Sequence, residues 1–394
     1  MPNKSETHYS FSITKLNLRF MRRLIVILFL IIFTACVGQG SKKNFSFKKI
    51  NKSKIVTIPV LNQVSKIKFV DLVSYLPKNY LKDGSVDYSN YIQKGINEND
   101  NVAMPDFPVL IGGTGLTLKS NSVLYFKSKS KLILEKNSLT NYEILKIHNT
   151  KNVTIYNPKL SGDRQKHTGT KGEWGMGISI KSSENINIFN PIIENCWGDA
   201  IYIGNDKTAP EDINISGGLL NNNRRNGISI VSGTKINVSD IAISNTNGTL
   251  PMSGIDIEPN NNNNTLEDIN LKNVYTFNNA ENGIAVILIY LIGEKEKNVS
   301  ININSHVDED SKRGFLMGGN KLEYSENIKP LKGAVYVNNP TWKNNATTLL
   351  LSSDFKYIPK YIYKNVKVMT NNKIDSRKSD ETKSMARKRN IQID

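Results

Sequence analysis

Long apolar runs are missing from this 394-residue sequence. The stretch from Leu24 to Phe33 holds ten apolar residues, whereas a helix that crosses a bilayer needs about 20. Two arginines precede this stretch, and small residues and Cys36 follow it, which is the order of a secretory signal. We therefore predict an exported chain in which residues 1–36 are the signal region and Met21 is the true start.

Cysteines are scarce as well, since the sequence has only two. The segment FTAC, which ends at Cys36, resembles the lipobox of bacterial lipoproteins, in which the cysteine becomes the lipidated first residue. The resemblance implies a lipid anchor at Cys36 and a membrane-anchored lipoprotein, with the bacterial outer membrane as its expected location. The alternative is an apolar anchor that is not cleaved. With Cys36 assigned to lipid, Cys196 is the remaining thiol, which excludes an intrachain disulfide and favours a buried structural role.

The central region also lacks a strong charge of either sign. The chain carries a formal net charge of +17, but residues 55–370 account for only +4 of it. We expect no nucleic-acid partner, because such a partner requires a basic face on the folded domain. The remaining positive charge lies near the two ends of the chain. We interpret residues 37–54 as a flexible, membrane-proximal tether and residues 370–394 as a disordered basic tail.

The sequence does contain a repeat. A strand-like motif that begins with Gly-Ile or Ala-Ile starts at residues 177, 200, 227, 254 and 283, so the intervals are 23, 27, 27 and 29 residues. A second series, mostly Ile-Asn-Ile, keeps step with it at residues 153–155, 186–188, 213–215, 236–238 and 269–271. Glycine and asparagine between the motifs supply corners with positive φ. Periods of this length indicate a solenoid.

The repeats leave no room for a helix. Apolar and other residues alternate within each motif, as they do in strands with one buried face. A helix of 10 to 15 residues does not fit beside two or three strands in these intervals, which argues against a leucine-rich repeat or a chain of βαβ units. The predicted fold is therefore all-β: a single-stranded, right-handed parallel β-helix over residues 122–369.

Residues 55–121 are expected to cap the amino-terminal end and to supply the first strands. They include DGSVDYSNYIQKGIN (83–97), in which Asp87 can cap a short helix with Tyr91, Ile92 and Ile96 on one face. This layout resembles the start of pectate-lyase-like right-handed β-helices, where a similar helix covers the open end of the coils. The resemblance extends over roughly residues 60–350, and it implies the fold rather than one activity.

Unequal loops predict a groove. The distance from an Ile-Asn-Ile motif to the next Gly-Ile motif is usually 13 residues, but it is 23 before Ile178 and 17 before Ile255. Insertions in solenoids cluster on the binding face. We therefore expect the outward face of the Gly-Ile strands to form a groove that is walled by these loops.

Acids, an arginine, a histidine and aromatic residues surround the predicted groove. Aromatic faces stack on sugar rings, and paired carboxyl groups can protonate a glycosidic oxygen while activating water. Asp256 and Glu258 lie two residues apart and point outward together. The predicted catalytic residues are Asp199, Glu173, Asp256, Glu258 and His167. The predicted substrate-binding residues are Arg164, Asp163, Trp174, Tyr202, Lys181 and Trp197.

The segment GDAIYI (198–203) looks like the GDD-containing strand of polygalacturonase-like glycoside hydrolases. Asp199 matches the second acid of that motif, but Gly198 stands in the place of the first, and no GHG or RIK motif follows. The resemblance therefore does not supply a complete polygalacturonase site.

Three functions remain open. We favour hydrolysis of a polysaccharide by carboxylate acid/base chemistry, which needs no cofactor. A uronate lyase is the first alternative, because Asp256 and Glu258 resemble the alternating acids that some β-helix lyases present to Ca²⁺, with Lys181 or His167 as the base. The second alternative is a lipid-anchored protein that only binds glycan or has a structural role in the envelope. The sequence does not determine the oligomeric state.

Overall fold

The computed structural model describes residues 45–318, 327–351 and 356–394. The described residues from Phe47 onward belong to one compact unit. The predicted signal region and the predicted lipidation site at Cys36 lie outside the described residues.

From residue 47 onward, the described residues form an all-β parallel β-helix, which confirms the predicted fold class. Each full coil contributes one strand to each of three sheets, and strands of successive coils pair in parallel. The first sheet contains Val70–Asp71, Asn101–Ala103, Ser122–Tyr125, Lys151–Tyr156, Glu184–Phe189, Glu211–Ser216, Gly233–Ser239, Leu266–Lys272, Asn298–Asn304, Lys332–Asn338, Lys360–Lys364 and Gln392–Ile393.

The other two sheets follow the first within each coil. The second sheet contains Pro108–Ile111, Lys131–Leu134, Lys159–Ser161, Ile192–Glu194, Leu219–Asn221, Ala242–Ser244, Tyr275–Phe277, Val307–Glu309, Thr341–Lys343, Lys367–Thr370 and the antiparallel Lys373–Ile374. The third sheet contains Leu116–Thr117, Asn141–His148, Trp174–Lys181, Ile201–Gly204, Ile228–Ile230, Ser253–Ile257, Asn282–Val286, Arg313–Met317 and Thr347–Leu351.

Helices are short in the described ranges. They are Lys52–Lys54, Leu61–Val64, Leu72–Tyr75, Ser89–Glu98, Ile289–Leu291 and Ser376–Arg387. No helix of the described part is long and apolar enough to span a membrane.

Aligned isoleucines form the core, in the register that the repeat predicts. Ile178 pairs with Ile201 and Ile201 with Ile228, and the column continues through Ile255 and Ile284. All five side chains are fully buried, and burial of such a side chain stabilises the fold by about 1.5–3 kcal/mol. Because strand side chains alternate, the residue after each isoleucine belongs to the outward face of the third sheet.

Asparagines turn the chain at the corners between sheets. Asn157, Asn190, Asn195 and Asn222 all have positive φ, a conformation that asparagine tolerates better than most residues. Their amides also bond between coils: Nδ2 of Asn190 donates to Oδ1 of Asn157 at 2.8 Å, and Nδ2 of Asn222 donates to Oδ1 of Asn195 at 2.6 Å. The corners therefore add inter-coil hydrogen bonds to those of the sheets.

The helix Ser89–Glu98 packs on the core at the start of the solenoid, as predicted, although one of its residues is placed differently. The Oδ1 atom of Asp87 accepts a hydrogen bond of 2.8 Å from the backbone N–H of Ser89. Ile92 and Ile96 are buried, but Tyr91 is 42% exposed. Tyr88, one helical turn before Ile92, is buried instead.

The last part of the predicted tether is not free chain. The backbone N–H of Lys48 donates to Oδ1 of Asn245 at 3.2 Å, and Nδ2 of Asn245 donates back to the carbonyl of Lys48 at 3.1 Å. Ile50 packs on the apolar cluster that contains Tyr275. The flexible-tether prediction is therefore wrong for residues 48–54, because corner asparagines and an outward aromatic cluster provide a surface on which this segment packs.

The prediction of a disordered tail at residues 370–394 is also wrong. This segment forms the helix Ser376–Arg387 and the strand Gln392–Ile393, which pairs in parallel with Lys360–Lys364. Ala386, Ile391 and Ile393 are buried. A few apolar side chains suffice because they only have to cover the end of an existing core, while the charged residues face outward.

Candidate functional site

A groove runs over the outward face of the third sheet, where the loop lengths predict it. One cavity of about 270 Å³ is lined by Asn141, Glu143, Trp174, Met176, Lys181, Tyr202, Arg225, Ser229, Val231, Asp256, Glu258 and Asn260. A second cavity of about 360 Å³ is lined by Glu173, Arg225, Leu250, Pro251, Glu258, Glu281, Asn282, Ile287, Arg313 and Leu316. Arg225 and Glu258 line both cavities, so they lie at the centre of the groove.

Asp256 and Glu258 form a carboxyl pair at this centre. Oδ2 of Asp256 accepts a hydrogen bond of 3.2 Å from Nδ2 of Asn226, while its buried Oδ1 has no hydrogen-bonding partner in the described ranges. Burial raises the pKa of Asp256 well above its ordinary value, and the nearby charge of Glu258 raises it further. Burial also raises the pKa of Glu258. The pair can therefore hold a proton at a pH where exposed carboxyl groups have lost theirs.

Arg225 is the central cation of the groove. Its Nη1 donates to Oδ2 of Asp199 at 3.1 Å, and its Nε lies 4.0 Å from Oε2 of Glu173. The Nε atom is buried and has no hydrogen-bonding partner within the described part of the chain. Burial alone would lower the pKa of Arg225, but four surrounding carboxylates raise it, those of Asp199, Asp256, Glu173 and Glu258. Arg225 therefore stays charged and links the floor of the groove to its wall.

Asp199 lies beneath the groove and not in it. Its carboxylate is fully buried and accepts hydrogen bonds from Nη1 of Arg225, from Oγ of Ser229 at 2.9 Å and from the backbone N–H of Asn226 at 3.0 Å. Burial raises the pKa of Asp199, and Arg225 offsets part of this effect. Nδ2 of Asn226 also reaches Asp256. Asp199 therefore holds Arg225 and the Asn226 amide in place, and it has no access to a substrate.

Glu173 and Trp174 reach the groove from the long loop and the start of the next strand, as predicted. The Glu173 side chain is 36% exposed and faces Arg225. Trp174 is 53% exposed and lines the first cavity together with Tyr202. An exposed aromatic ring beside polar groups suits stacking against a sugar ring.

Lys181 also lines the first cavity, where it is bound to an acid that the sequence interpretation overlooked. Its Nζ lies 3.1 Å from Oε1 of Glu143 and 5.8 Å from the ring centroid of Tyr202. Glu143 belongs to the strand Asn141–His148, which pairs with the strand of Lys181. The ion pair removes Lys181 from the role of a free base.

His167 and Asp163 do not open onto the groove. Nδ1 of His167 lies 2.8 Å from Oδ2 of Asp163, and both side chains are fully buried. The hydroxyl of Tyr142 donates to Oδ1 of Asp163 at 3.0 Å. The His167 ring stacks on one face of Trp197 at 3.9 Å, and the Arg224 guanidinium lies 4.0 Å from the centroid of the same ring. The predicted catalytic role of His167 and the predicted substrate contact of Asp163 are therefore wrong, because the loop folds on itself through this buried cluster. Trp197, also predicted to bind substrate, does not line either cavity.

Arg164 has a structural role as well. Its Nη1 donates to the carbonyl and Oδ1 of Asn222 at 2.9 and 2.7 Å, and its Nη2 donates to the carbonyl and Oδ1 of Asn247, both at 2.7 Å. The guanidinium thus clamps two later corners and is not available to a substrate. Cys196 is a free, buried thiol, as expected.

The residues around Asp256 and Glu258 do not fit the predicted Ca²⁺ site. Calcium takes 6 to 8 oxygen ligands, whereas no group of three or more histidine, cysteine, aspartate or glutamate side chains in the described ranges could hold a metal ion. The positive charge that these carboxyl groups face belongs to Arg225. The two acids are an incomplete calcium site.

Arg225 is the central groove residue that the sequence interpretation does not single out. It lies in NNNRRNG (221–227), three residues before Ile228, and Gly198 holds the same place before Ile201. Alignment of the repeats by the strand register would have placed an arginine directly above the Asp199 coil. Ser229 carries no signal in the sequence, because an outward serine is typical of any solenoid surface.

Sequence comparisons give distant relatives. No protein-family model matches the chain. It is 31% identical over 138 residues to the uncharacterized protein YclG of Bacillus subtilis (strain 168), a match that covers 31% of this chain and 24% of that protein. It is 28% identical over 208 residues to the SPbeta prophage-derived uncharacterized protein YorA of the same strain, covering 48% of this chain and 34% of that protein. The chain thus spans only about a quarter to a third of the curated relatives it matches.

Structural comparisons agree with the fold described above. The N-terminal fragment of bacteriophage Phi29 gene product 12 has a TM-score of 0.54 at 16% identity, covering 78% of this chain and 59% of that one. The catalytic domain of a GH87 alpha-1,3-glucanase has a TM-score of 0.51 at 11% identity, covering 76% and 58%. An iota-carrageenase complexed to iota-carrageenan fragments has a TM-score of 0.50 at 11% identity, covering 84% and 96%. Likeness at this level of identity shows a shared β-helix fold.

Proposed function

We propose that this protein hydrolyses glycosidic bonds of a polysaccharide in the groove over its third sheet. The observation that carries the proposal is the convergence of Glu173, Asp256 and Glu258 on Arg225 where the two cavities meet. Two carboxyl groups on a sugar-sized groove are the minimum that acid/base hydrolysis requires.

The carboxyl groups differ in environment, and this difference assigns their roles. Glu258 and Asp256 are held where burial raises their pKa values, so Glu258, with Asp256 as its proton-sharing partner, is the acid that protonates the leaving oxygen. Glu173 is more exposed and is the base that activates water. Arg225 positions Glu173 and limits the repulsion among the acids.

The other groove residues bind the chain of sugars. Trp174 offers a stacking face on one side of the centre, and the second cavity continues the groove on the other side. Because sugar units can lie on both sides of Glu258, the geometry supports attack within a chain as well as at its end.

We further propose the location that the sequence indicates, an exported lipoprotein anchored in the bacterial outer membrane through Cys36. The support is the order of arginines, apolar residues and FTAC in residues 21–36. Incorporation of labelled fatty acid into the wild type and not into Cys36→Ser tests this part separately from the activity.

A glycan panel tests the function. The purified protein is incubated with neutral and uronate polysaccharides, with and without EDTA, and new reducing ends and unsaturated uronate products are measured in parallel with binding by affinity electrophoresis. Hydrolysis predicts reducing ends without unsaturated product and without an effect of EDTA. Unsaturated product that EDTA abolishes would establish a calcium-dependent lyase instead. Binding without turnover on every glycan would establish a binding module.

A further inference from the structure

The charges in the groove indicate which kind of glycan can enter it. This inference rests on the proposed function. The groove contains three cationic side chains among its cavity-lining residues, Lys181, Arg225 and Arg313. A uronate or a sulfated sugar needs such groups as counter-charges. A cation can serve as such a counter-charge only if it is not already paired with a carboxylate.

Each of the three is held by a carboxylate. Lys181 bonds to Glu143 at 3.1 Å, on the amino-terminal side of the groove. Arg225 bonds to Asp199 at 3.1 Å and lies 4.0 Å from Glu173. These contacts fix both cations before any substrate arrives.

The third cation, on the far side of the groove, is held in the same way. Arg313 Nη1 is hydrogen-bonded to Oε2 of Glu281, and Nζ of Lys312 binds the other oxygen of that carboxylate at 2.7 Å. Lys146 lies on the same face of the third sheet, on the strand before that of Ser179, but outside the residues that line the two cavities. Apart from the Nε–H of Arg225, which is buried and faces Glu173 at 4.0 Å, an anion at the centre of the groove would therefore meet only lining cations that already bind a carboxylate.

The groove is lined by more carboxyl groups than cations that could pair with them. Arg225 is the one cation that faces Asp256 and Glu258 among the lining residues, and it is already shared with Asp199 and Glu173. Oδ1 of Asp256 has no hydrogen-bonding partner in the described ranges. Even when the pair holds one proton, its other oxygen atoms can only accept hydrogen bonds, so this end of the site requires donors.

We propose that the groove selects uncharged glycans and rejects those that carry carboxylates or sulfates. Sugar hydroxyls donate hydrogen bonds to the excess carboxylate oxygens, whereas an added anion brings like charges together in a partly buried site. Selection therefore arises from repulsion between the groove carboxylates and an anionic glycan. The cations of the groove hold these carboxylates in place.

A matched pair of substrates tests the selection. Polygalacturonate and the neutral galactan made from it by carboxyl reduction share one backbone and differ only in charge. Binding and reducing-end release are measured for both, at low and at high salt. We expect the neutral chain to bind at least about tenfold more tightly, with little effect of salt, and the anionic chain to bind better at high salt, because screening weakens repulsion.

A variant reverses the charge balance. Glu143→Gln frees Lys181 and should strengthen binding of polygalacturonate about fivefold or more. Added salt should then weaken this binding, whereas it strengthens binding to the wild type. Glu211→Gln removes the partner of Lys235 in a comparable ion pair of 2.9 Å on the first sheet, away from the groove. This control should leave the binding of both glycans unchanged.

The outcomes separate the inference from the proposed function. Release of reducing ends from polygalacturonate at a rate equal to or above that from the neutral chain overturns the charge selection and leaves hydrolysis standing. Binding of the neutral chain without cleavage of either substrate, or of any glycan of the panel, supports the charge selection and contradicts hydrolysis. Failure to bind any neutral glycan overturns the inference, as does an equal gain of polygalacturonate binding in Glu143→Gln and Glu211→Gln.

Discussion

Nη1 of Arg225 donates a hydrogen bond of 3.1 Å to the fully buried carboxylate of Asp199, one coil earlier in the solenoid. The same guanidinium faces Glu173 at 4.0 Å through its Nε atom. One ion pair therefore connects the interior of the β-helix to the wall of the groove. The position of the groove acids depends on it.

Removal of either partner of this ion pair should reduce stability, but to different extents. Arg225→Met leaves the buried Asp199 carboxylate without its counter-charge, which costs about 3–5 kcal/mol. Asp199→Asn keeps an acceptor for Ser229 and leaves Arg225 beside other carboxylates, so we expect about 1–3 kcal/mol. Urea unfolding near neutral pH measures the free energy of unfolding of both variants. Lys235→Met, which breaks an exposed ion pair, is the control and should change stability by less than about 1 kcal/mol. A smaller loss for Arg225→Met than for Asp199→Asn would contradict this account.

Asp256 should make the protein less stable as the pH rises. Its folded-state pKa is raised above the ordinary value of 3.8, so between these two values the folded protein binds more protons than the unfolded chain, and the free energy of unfolding falls with increasing pH. Asp256→Asn mimics the protonated form and should remove this loss, which is about 1.4 kcal/mol for each pH unit between the two pKa values.

Melting temperatures of the wild type and Asp256→Asn, taken at about pH 4 and about pH 8, test this pH dependence. The two proteins should melt alike at the lower pH, and the variant should melt higher at the upper one. A variant that melts below the wild type at the upper pH would refute the raised pKa of Asp256.

The repeat pattern predicted the coils, their register and the groove, because strand period and burial are local properties of the sequence. The pattern could not locate Arg225, whose role arises only when one coil is stacked on the next. It also misplaced Asp163 and His167, which are four residues apart in a polar loop. The sequence does not show that Tyr142 from an earlier coil bonds to Asp163 or that Trp197 stacks on His167. The carboxyl-terminal helix was missed for a related reason, since its low apolar content is sufficient only against a core that is already folded.

Trp174 should contribute to substrate binding and not to the chemical step. Trp174→Ala removes a stacking face worth about 0.5–1.5 kcal/mol, so KM should rise about 2- to 10-fold while kcat stays within about twofold. Tyr336, an exposed aromatic residue of the first sheet, provides the control, and Tyr336→Ala should change neither constant. A fall in kcat of Trp174→Ala at unchanged KM would place the tryptophan in the reaction itself.

The carboxyl-terminal helix should act as a cap of the core. Ala386→Glu places a charge where Ala386 is fully buried against the last strands, and we expect a loss of about 2–4 kcal/mol. Arg387→Glu changes the charge of the adjacent exposed residue and should cost less than about 1 kcal/mol. Thermal unfolding distinguishes the two variants. Equal melting temperatures would indicate that residues 376–387 form a free tail and would contradict the cap.

Replacement of Glu258 tests the central claim most directly. On a neutral glycan that the wild type cleaves, the initial rate of reducing-end release is measured for Glu258→Gln and for Glu211→Gln, the ion-pair residue of the first sheet. Loss of the acid predicts a rate at least about 100-fold lower for Glu258→Gln, with binding retained and the Glu211→Gln rate equal to that of the wild type. A Glu258→Gln protein that cleaves as fast as the wild type would contradict hydrolysis in this groove.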